Sequence, residues 1–323
     1  MRLSVVPVLV LLLTFTLHAA EPAPIRIGQP VNGHIHPAIC KSAKGTLVVT
    51  YGHINHRDLR ICRSTDGGAT WSTPEPFGPT VGKTYYPGSL TTLKDGRLLH
   101  CWNRWSAPDN EKEPRSVLYS LSSDDGVTWG EPLALPHDDK ASSVIRHPIV
   151  ELPSGAWLCP LWDRTIVWDP VKAVAQPFGD GRNHALVPIV RTPKGSFVSG
   201  TGHRSTDEGQ TWQPIDKFPD VSTQGWRHEM VCLSNGWLLA SEIPGPGIGG
   251  ESIRYVISRD DGLTWNDKYE YYNPGRPING RACPRTVELN PKEIGVVFYD
   301  IDANQPGGPG LFFLKIPLSK LGG

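Results

Sequence analysis

Residues Ser64 to Trp71 read Ser-Thr-Asp-Gly-Gly-Ala-Thr-Trp, and the pattern Ser-x-Asp-x-Gly-x-Thr-Trp returns at Ser122 to Trp129, Ser205 to Trp212 and Ser258 to Trp265. A chain that repeats one local element across most of its length is restricted to folds built as arrays of similar units. Gly68, Gly126, Gly209 and Gly262 supply the backbone angles of a tight hairpin. Asp66, Asp124, Asp207 and Asp260 are placed to accept turn amide hydrogens, and each tryptophan offers a large ring for packing between units. Four dispersed copies cannot converge on one substrate, so the element reads as frame and the chemistry must be sought elsewhere.

A second repeat is interleaved with the first. An aromatic residue or histidine, then proline, an apolar strand and a second apolar strand recur as "HPAICKSAKGTLVVTYG", "YPGSLTTLKDGRLLHCW", "HPIVELPSGAWLCPLW", "VPIVRTPKGSFVSGTG", "HEMVCLSNGWLLASEI" and "CPRTVELNPKEIGVVFYD", with variation at the first two positions. Each pairs two strands, and four continue through a third strand into the box. The interval from Trp129 to Trp212 is the longest between boxes, which leaves room for a third unit without one, around "TIVWDPVKAVAQPF". Units of about 40 to 60 residues, each a small antiparallel sheet unable to bury both faces alone, predict an all-β fold: a six-bladed β-propeller.

The rest of the composition agrees. Glycine (34) and proline (31) are abundant in the 323 residues, as many short strands joined by turns require. The opening "MRLSVVPVLVLLLTFTLHAA" has Arg2, an apolar run and small residues at Ala19 and Ala20, the pattern of a secretory signal peptide over residues 1–20. It is too short to span a membrane. The expected product is one propeller domain over 21–323, secreted or periplasmic, monomeric and not membrane-bound after signal removal. Lys+Arg and Asp+Glu are both 32, so no basic field argues for a nucleic-acid partner. Six cysteines in an exported chain permit disulfides, but five stand singly inside apolar strand-like runs, where a free thiol behaves as a small hydrophobe. No close cysteine pair suggests zinc, and no cofactor is implied.

The repeated box resembles the Asp-box, or BNR repeat, of the sialidase superfamily, and the whole mature chain is similar to such six-bladed propellers and to exo-alpha-sialidase-like bacterial proteins. The closing stretch "EIGVVFYDIDANQPGGPGLFFLKIPL" resembles the last blade of sialidases, where Leu-Tyr-Glu ends a strand. The resemblance implies a carbohydrate substrate and a retaining mechanism with three arginines clamping a carboxylate, an Asp acid/base, and a Tyr nucleophile assisted by Glu. Here His36 occupies the first arginine's place and Cys283 the nucleophile's. Arg204 and Arg254 stand too close to their boxes to serve as the other two arginines. Asp58 is the only carboxylate in the loop where the acid/base is implied, with His53 and His56 beside it, and Asp300 falls where the family has Glu and could orient a basic residue.

In a propeller, the residues just before the innermost strands converge at one end of the central channel. Aligned on the repeat, these are His36, Tyr86, His147, Val187, His228 and Cys283, with Arg146, Arg227 and Arg285 adjacent. We assign Asp58, His147 and His228 as candidate catalytic residues, and His36, Tyr86, Arg146, Arg227, Arg285 and Asp300 as candidate substrate-binding residues. The same residues also suit strand capping, and Asp58 and Asp300 also suit ordinary strand ends. Trp102, Arg104, Trp105, Asp109, Glu111, Trp162, Asp163 and Arg164 suit either sugar contact or packing between blades. Three readings of function follow: an exported glycoside hydrolase acting on an acidic glycan, a polysaccharide lyase using His and Arg, and a non-catalytic glycan-binding propeller. A metal held by His36, His147 and His228 is a further alternative.

Overall fold

The structure, a computed structural model, describes residues 23–28, 30–32, 35–54, 57–77, 84–105, 115–136, 144–162, 164–179, 187–218, 229–243, 250–278, 282–302 and 307–322. Its strands form six four-stranded antiparallel sheets. Five are built from strands consecutive in the chain, starting at Ala38–Lys41, Thr84–Thr92, Val150–Glu151, Ile189–Arg191 and Met230–Cys232. The sixth combines Arg285–Asn290, Glu293–Asp300 and Gly310–Pro317 with the N-terminal strand Ile25–Ile27, which pairs as Ile25↔Phe313 and Ile27↔Leu311. All six inner-strand pairs expected from the second repeat are present. The closing role of Ile25–Ile27 is an addition: the first strand completes the last blade and ties the chain's two ends together.

Blade-on-blade packing explains the near-continuous apolar strands. In Glu293–Asp300, Ile294, Val296 and Phe298 join a core shared with blade five, while Val297 and Tyr299 join a core shared with blade one. A strand buried on both faces has no polar side to show.

The box holds its hairpin by one scheme, repeated four times. In blade one, Asp66 Oδ1 accepts from Thr70 N at 2.9 Å, Asp66 Oδ2 accepts from Thr70 Oγ1 at 2.5 Å, Gly68 N donates to Ser64 Oγ at 2.8 Å, and Trp71 Nε1 donates to Gly68 O at 3.2 Å. The other three boxes keep the same bonds. These bonds hold the box carboxylates low, those of Asp124 and Asp207 at about 2, with Thr128 and Thr211 as the first cause. The hairpin also presses on the preceding blade. Gly209 has φ +83°, and a Cβ there would lie 2.5 Å from Phe178 Cζ of blade three. Trp71 meets Phe313 of blade six edge to face at 5.2 Å. Blade three turns its outer hairpin without a box, using Asp169 to accept from the amides of Val171 and Lys172 at 3.0 Å. All six cysteines are free, five of them buried.

Candidate functional site

In three blades a backbone amide of the second strand holds a residue just before the inner strand. Gly52 N donates to Ile35 O at 2.9 Å, Ser241 N to Glu229 O at 2.8 Å, and Tyr299 N to Ala282 O at 3.0 Å. Blade three is held both by its own chain, where Trp162 N donates to Val144 O at 2.9 Å, and by its neighbour: the buried Asn103 of blade two donates from Nδ2 to Ile145 O at 2.8 Å and accepts from Ile145 N at 2.7 Å. This clamp sets the height of Arg146 and His147. In blade two, Gly88 (φ +77°) comes so close to Cys101 O that no Cβ fits, which accommodates the irregular register between Tyr86 and Ser89.

Arg285, in the inner strand of blade six, donates from Nη1 to Pro284 O at 2.8 Å and from Nη2 to Arg146 O at 3.3 Å. Blades six and three stand opposite each other in a ring of six, so the second bond spans the channel. Glu229, at the entry to the inner strand of blade five, completes the arrangement. It lines a cavity of about 330 Å³ together with His147 and Thr286, and this cavity runs down the channel to Lys94 and Arg191. Burial pushes the Glu229 carboxyl up to about 7, against the opposing pull of the Arg285 charge and hydrogen bonds from Thr286. The phenols of Tyr255 and Tyr271 are likewise raised, first by burial, and Tyr255 shares a 2.7 Å bond with Thr286 Oγ1. Two charged groups are thus taken out of water without a direct ion pair. Glu229 Oε2 and Arg285 Nε are buried with no hydrogen-bond partner among the described residues. Such atoms are costly unless something satisfies them.

A second group joins blades one and six. Cys283 Sγ lies 3.4 Å from His36 Nδ1 and 3.8 Å from the Tyr299 hydroxyl, all buried. His36, Ala282 and Cys283 have φ of 40°, 46° and 36°, a region non-glycine residues seldom occupy. Asp300 faces the other way. By strand alternation it points toward blade five, where its Oδ2 accepts from Arg276 Nη2 at 2.9 Å and Tyr272 OH at 3.2 Å, and Arg276 also bonds Asp302 at 2.9 Å. Asp300 does hold a basic residue, but from the loop after the outer strand of blade five, while the Tyr299 hydroxyl lies against Cys283.

The structure therefore brings together His36 with Cys283, Arg146 with Arg285, and His147 with Glu229. Arg227 and His228 lie outside the described residues, as do the side chains of Asp58 and Tyr86. Trp105, Asp109, Glu111 and Asp163 fall in the same category. Arg204 is occupied by Ser196 and by Asp261 of the next box, and Arg254 by Glu242 at 2.5 Å. Trp102 is buried in the core between blades one and two. No cluster of three His, Cys, Asp or Glu side chains suited to a metal is present among the described residues. Sequence reasoning missed Glu229 and Arg276. A signal for Glu229 existed: it takes the place of the proline that follows the entry residue in the other five units.

No family model matches the chain. Among curated proteins it is 26% identical to a sialidase of Clostridium perfringens over 238 residues, covering 70% of this chain and 56% of that one. A sialidase of Paraclostridium sordellii is 23% identical over 239 residues, 70% of this chain and 54% of that one. The chain spans about half the length of the curated relatives it matches. Among solved structures, a Dyadobacter fermentans protein of unknown function superposes with TM-score 0.65 at 21% identity, covering 92% of this chain and 98% of that one. A Hadza microbial sialidase gives 0.64 at 16% identity, covering 88% and 65%, and the leech intramolecular trans-sialidase 0.62 at 14%, covering 94% and 71%. These likenesses show the six-bladed sialidase propeller fold.

Proposed function

We propose that this propeller, which has the fold of the sialidases, is an exo-acting glycoside hydrolase that cleaves an acidic sugar from a glycan outside the cytoplasm. The observation that carries the reading is the couple of Glu229 and Arg285, two desolvated charged groups at the channel with buried atoms that no described residue satisfies. A carboxyl titrating at about 7 is part neutral and part ionised at neutral pH. It can give a proton to a leaving oxygen and take one back from water. A buried guanidinium N–H pairs best with a carboxylate, and Arg285 is held in place at both terminal nitrogens. His147 shares the cavity wall with Glu229 and is assigned to proton transfer or sugar hydroxyl contact. Arg146 is assigned to the carboxylate side, Asp58 and His228 to proton transfer, and Tyr86 and Arg227 to substrate contact. Asp300 acts through Arg276.

Cys283 and His36, which differ from the tyrosine and arginine of the family pattern, favour one other reading. A near-neutral base beside a guanidinium also suits a lyase, in which the base removes the proton next to a uronic carboxylate. Residues 1–20 are proposed to be removed on export and the rest to act as a monomer. No helix long and apolar enough to cross a membrane occurs among the described residues.

The test is a substrate panel with two detections, fluorophore release from acidic-sugar glycosides and ultraviolet absorbance of unsaturated uronate products, run on wild type and Glu229→Gln. The hydrolase reading expects glycoside release, reduced at least about 100-fold in the variant. Ultraviolet product without glycoside release would assign the lyase. Binding on a glycan array with neither product would leave a non-catalytic propeller.

A further inference from the structure

Tyr255 stands in the third strand of blade five, Ile253–Ser258, wholly buried in the core that blades five and six share. Its neighbours in that core are apolar, and a phenylalanine would fill the same space. A hydroxyl is costly to bury unless it is bonded. Here it meets Thr286 Oγ1 at 2.7 Å, on the inner strand of blade six. Thr286 in turn donates to Glu229 from both its amide and its hydroxyl, so the line of contacts returns to blade five. It is made by the packing of two blades and by no local segment. Tyr271, on the outer strand of blade five, lies beside Tyr255 with ring centroids 4.6 Å apart, and its hydroxyl oxygen is buried too. The other groups facing the carboxyl are Arg285 of blade six and His147 of blade three, with Cys232 further along the same inner strand. Lys94, Glu151 and Arg191 line the far end of the cavity. Arg285 acts on the carboxyl through its charge, whereas Thr286 bonds it.

We propose that Tyr255 and Thr286 form a reversible hydroxyl relay that places the proton of Glu229 during the cleavage cycle. The inference rests on the hydrolase reading above. When Glu229 is ionised, the Tyr255 hydroxyl donates to Thr286 Oγ1 and the Thr286 hydroxyl donates to the carboxylate. When Glu229 is neutral, its own O–H donates to Thr286 Oγ1, the Thr286 hydrogen turns to the Tyr255 oxygen, and the Tyr255 hydrogen turns toward the Tyr271 oxygen. The change is a rotation of two hydroxyls, and each hydrogen stays on its own oxygen. A carboxyl that gives a proton to a leaving oxygen and then takes one from water needs support in both forms. A hydroxyl serves both, being donor and acceptor, where a fixed cation favours only the ionised one. Tyr255 is a positioning residue that acts through Thr286, polarising the bond that Thr286 makes to the carboxylate.

The experiment titrates this carboxyl in the whole protein by infrared difference spectroscopy. Ordinary Asp and Glu side chains are already ionised near neutral pH, so the carboxylic C=O band present in wild type and missing in Glu229→Gln reports Glu229. Its midpoint is expected at about 7 in wild type. Tyr255→Phe keeps the packing and removes the phenol hydroxyl, and it is expected to raise the midpoint by at least about half a pH unit, since the ionised form loses the stronger bond. Thr286→Val is expected to raise it by about one pH unit, and Thr286→Ser to restore it to within about 0.3 of wild type. The pH profile of kcat/KM on an acidic glycoside should move by the same amounts. If Thr286→Val does not fold, Tyr255→Phe alone decides. A midpoint unmoved in Tyr255→Phe overturns the relay whether or not Thr286→Val moves it, and turnover that is still lost in Glu229→Gln then leaves the hydrolase reading standing. Raised midpoints with no glycoside turned over remove the hydrolase reading and the part of the relay in cleavage, and leave a hydroxyl chain that sets the Glu229 proton.

Discussion

Replacing Glu229 by glutamine removes a charge that the fold buries, and the consequence has a sign. In the folded protein the carboxyl keeps its proton up to about 7, against an ordinary value of 4.5, because desolvation by burial outweighs the Arg285 charge. Between those two values the folded state binds more protons than the unfolded chain. Stability therefore falls as pH rises through this window and stays lowered above it, while below it nothing is lost. The displacement, at about 1.4 kcal/mol per pH unit, amounts to about 3 kcal/mol. Glutamine does not ionise, so the variant escapes the loss. For a chain of this size about 3 kcal/mol corresponds to about 5 °C in Tm. Thermal unfolding of both proteins at about pH 5 and about pH 8.5 is the assay. The Tm difference, variant minus wild type, should rise by about 5 °C at the higher pH. An equal difference at both pH values would refute the desolvation on which the acid/base role of Glu229 depends.

Other perturbations follow from the same frame. Asn103→Ala removes both partners of the Ile145 backbone in a buried site, at about 1–3 kcal/mol for each stranded group, and denaturant unfolding should show a loss of about 2–4 kcal/mol. Because that clamp sets Arg146 and His147, kcat/KM should fall as well, even in fully folded protein. Gly209→Ala combines a left-handed backbone with a Cβ 2.5 Å from Phe178 and should cost about 2–4 kcal/mol, with activity per folded molecule unchanged. A loss under about 1 kcal/mol would show that the box hairpin yields where the packing says it cannot.

The frame was legible because it repeats. Four boxes and six strand pairs each obey local rules of turn and alternation, so register and blade count follow from periodicity. Ile25–Ile27 escaped notice because three residues carry too little pattern, and their pairing with Gly310–Pro317 is set by ring closure and not by any neighbour in sequence. The site was legible at its positions more than in its partnerships. His36, His147, Cys283, Arg146 and Arg285 could be placed by aligning units, but which of them touch depends on which blades face across the ring. Arg285 reaches Arg146 from the opposite blade, a relation no spacing contains. Asp300 and Tyr299 are adjacent in the chain, yet alternation sends one to blade five and the other to blade one. Glu229 went unremarked because an acid beside His228 reads as an ordinary strand end. Only burial turns it into a group titrating near neutrality.

The central claim is that the channel recognises an acidic sugar through a buried guanidinium and acts on it with a buried carboxyl. The most direct measurement compares kcat/KM for an acidic glycoside with that for the same glycoside whose carboxylate has been reduced to an alcohol. Leaving a buried cation without its anion costs about 3–5 kcal/mol, so the acidic form should be preferred at least about 100-fold. That preference should collapse in Arg285→Met. Equal rates on the two glycosides, or a preference that survives loss of Arg285, would contradict the account.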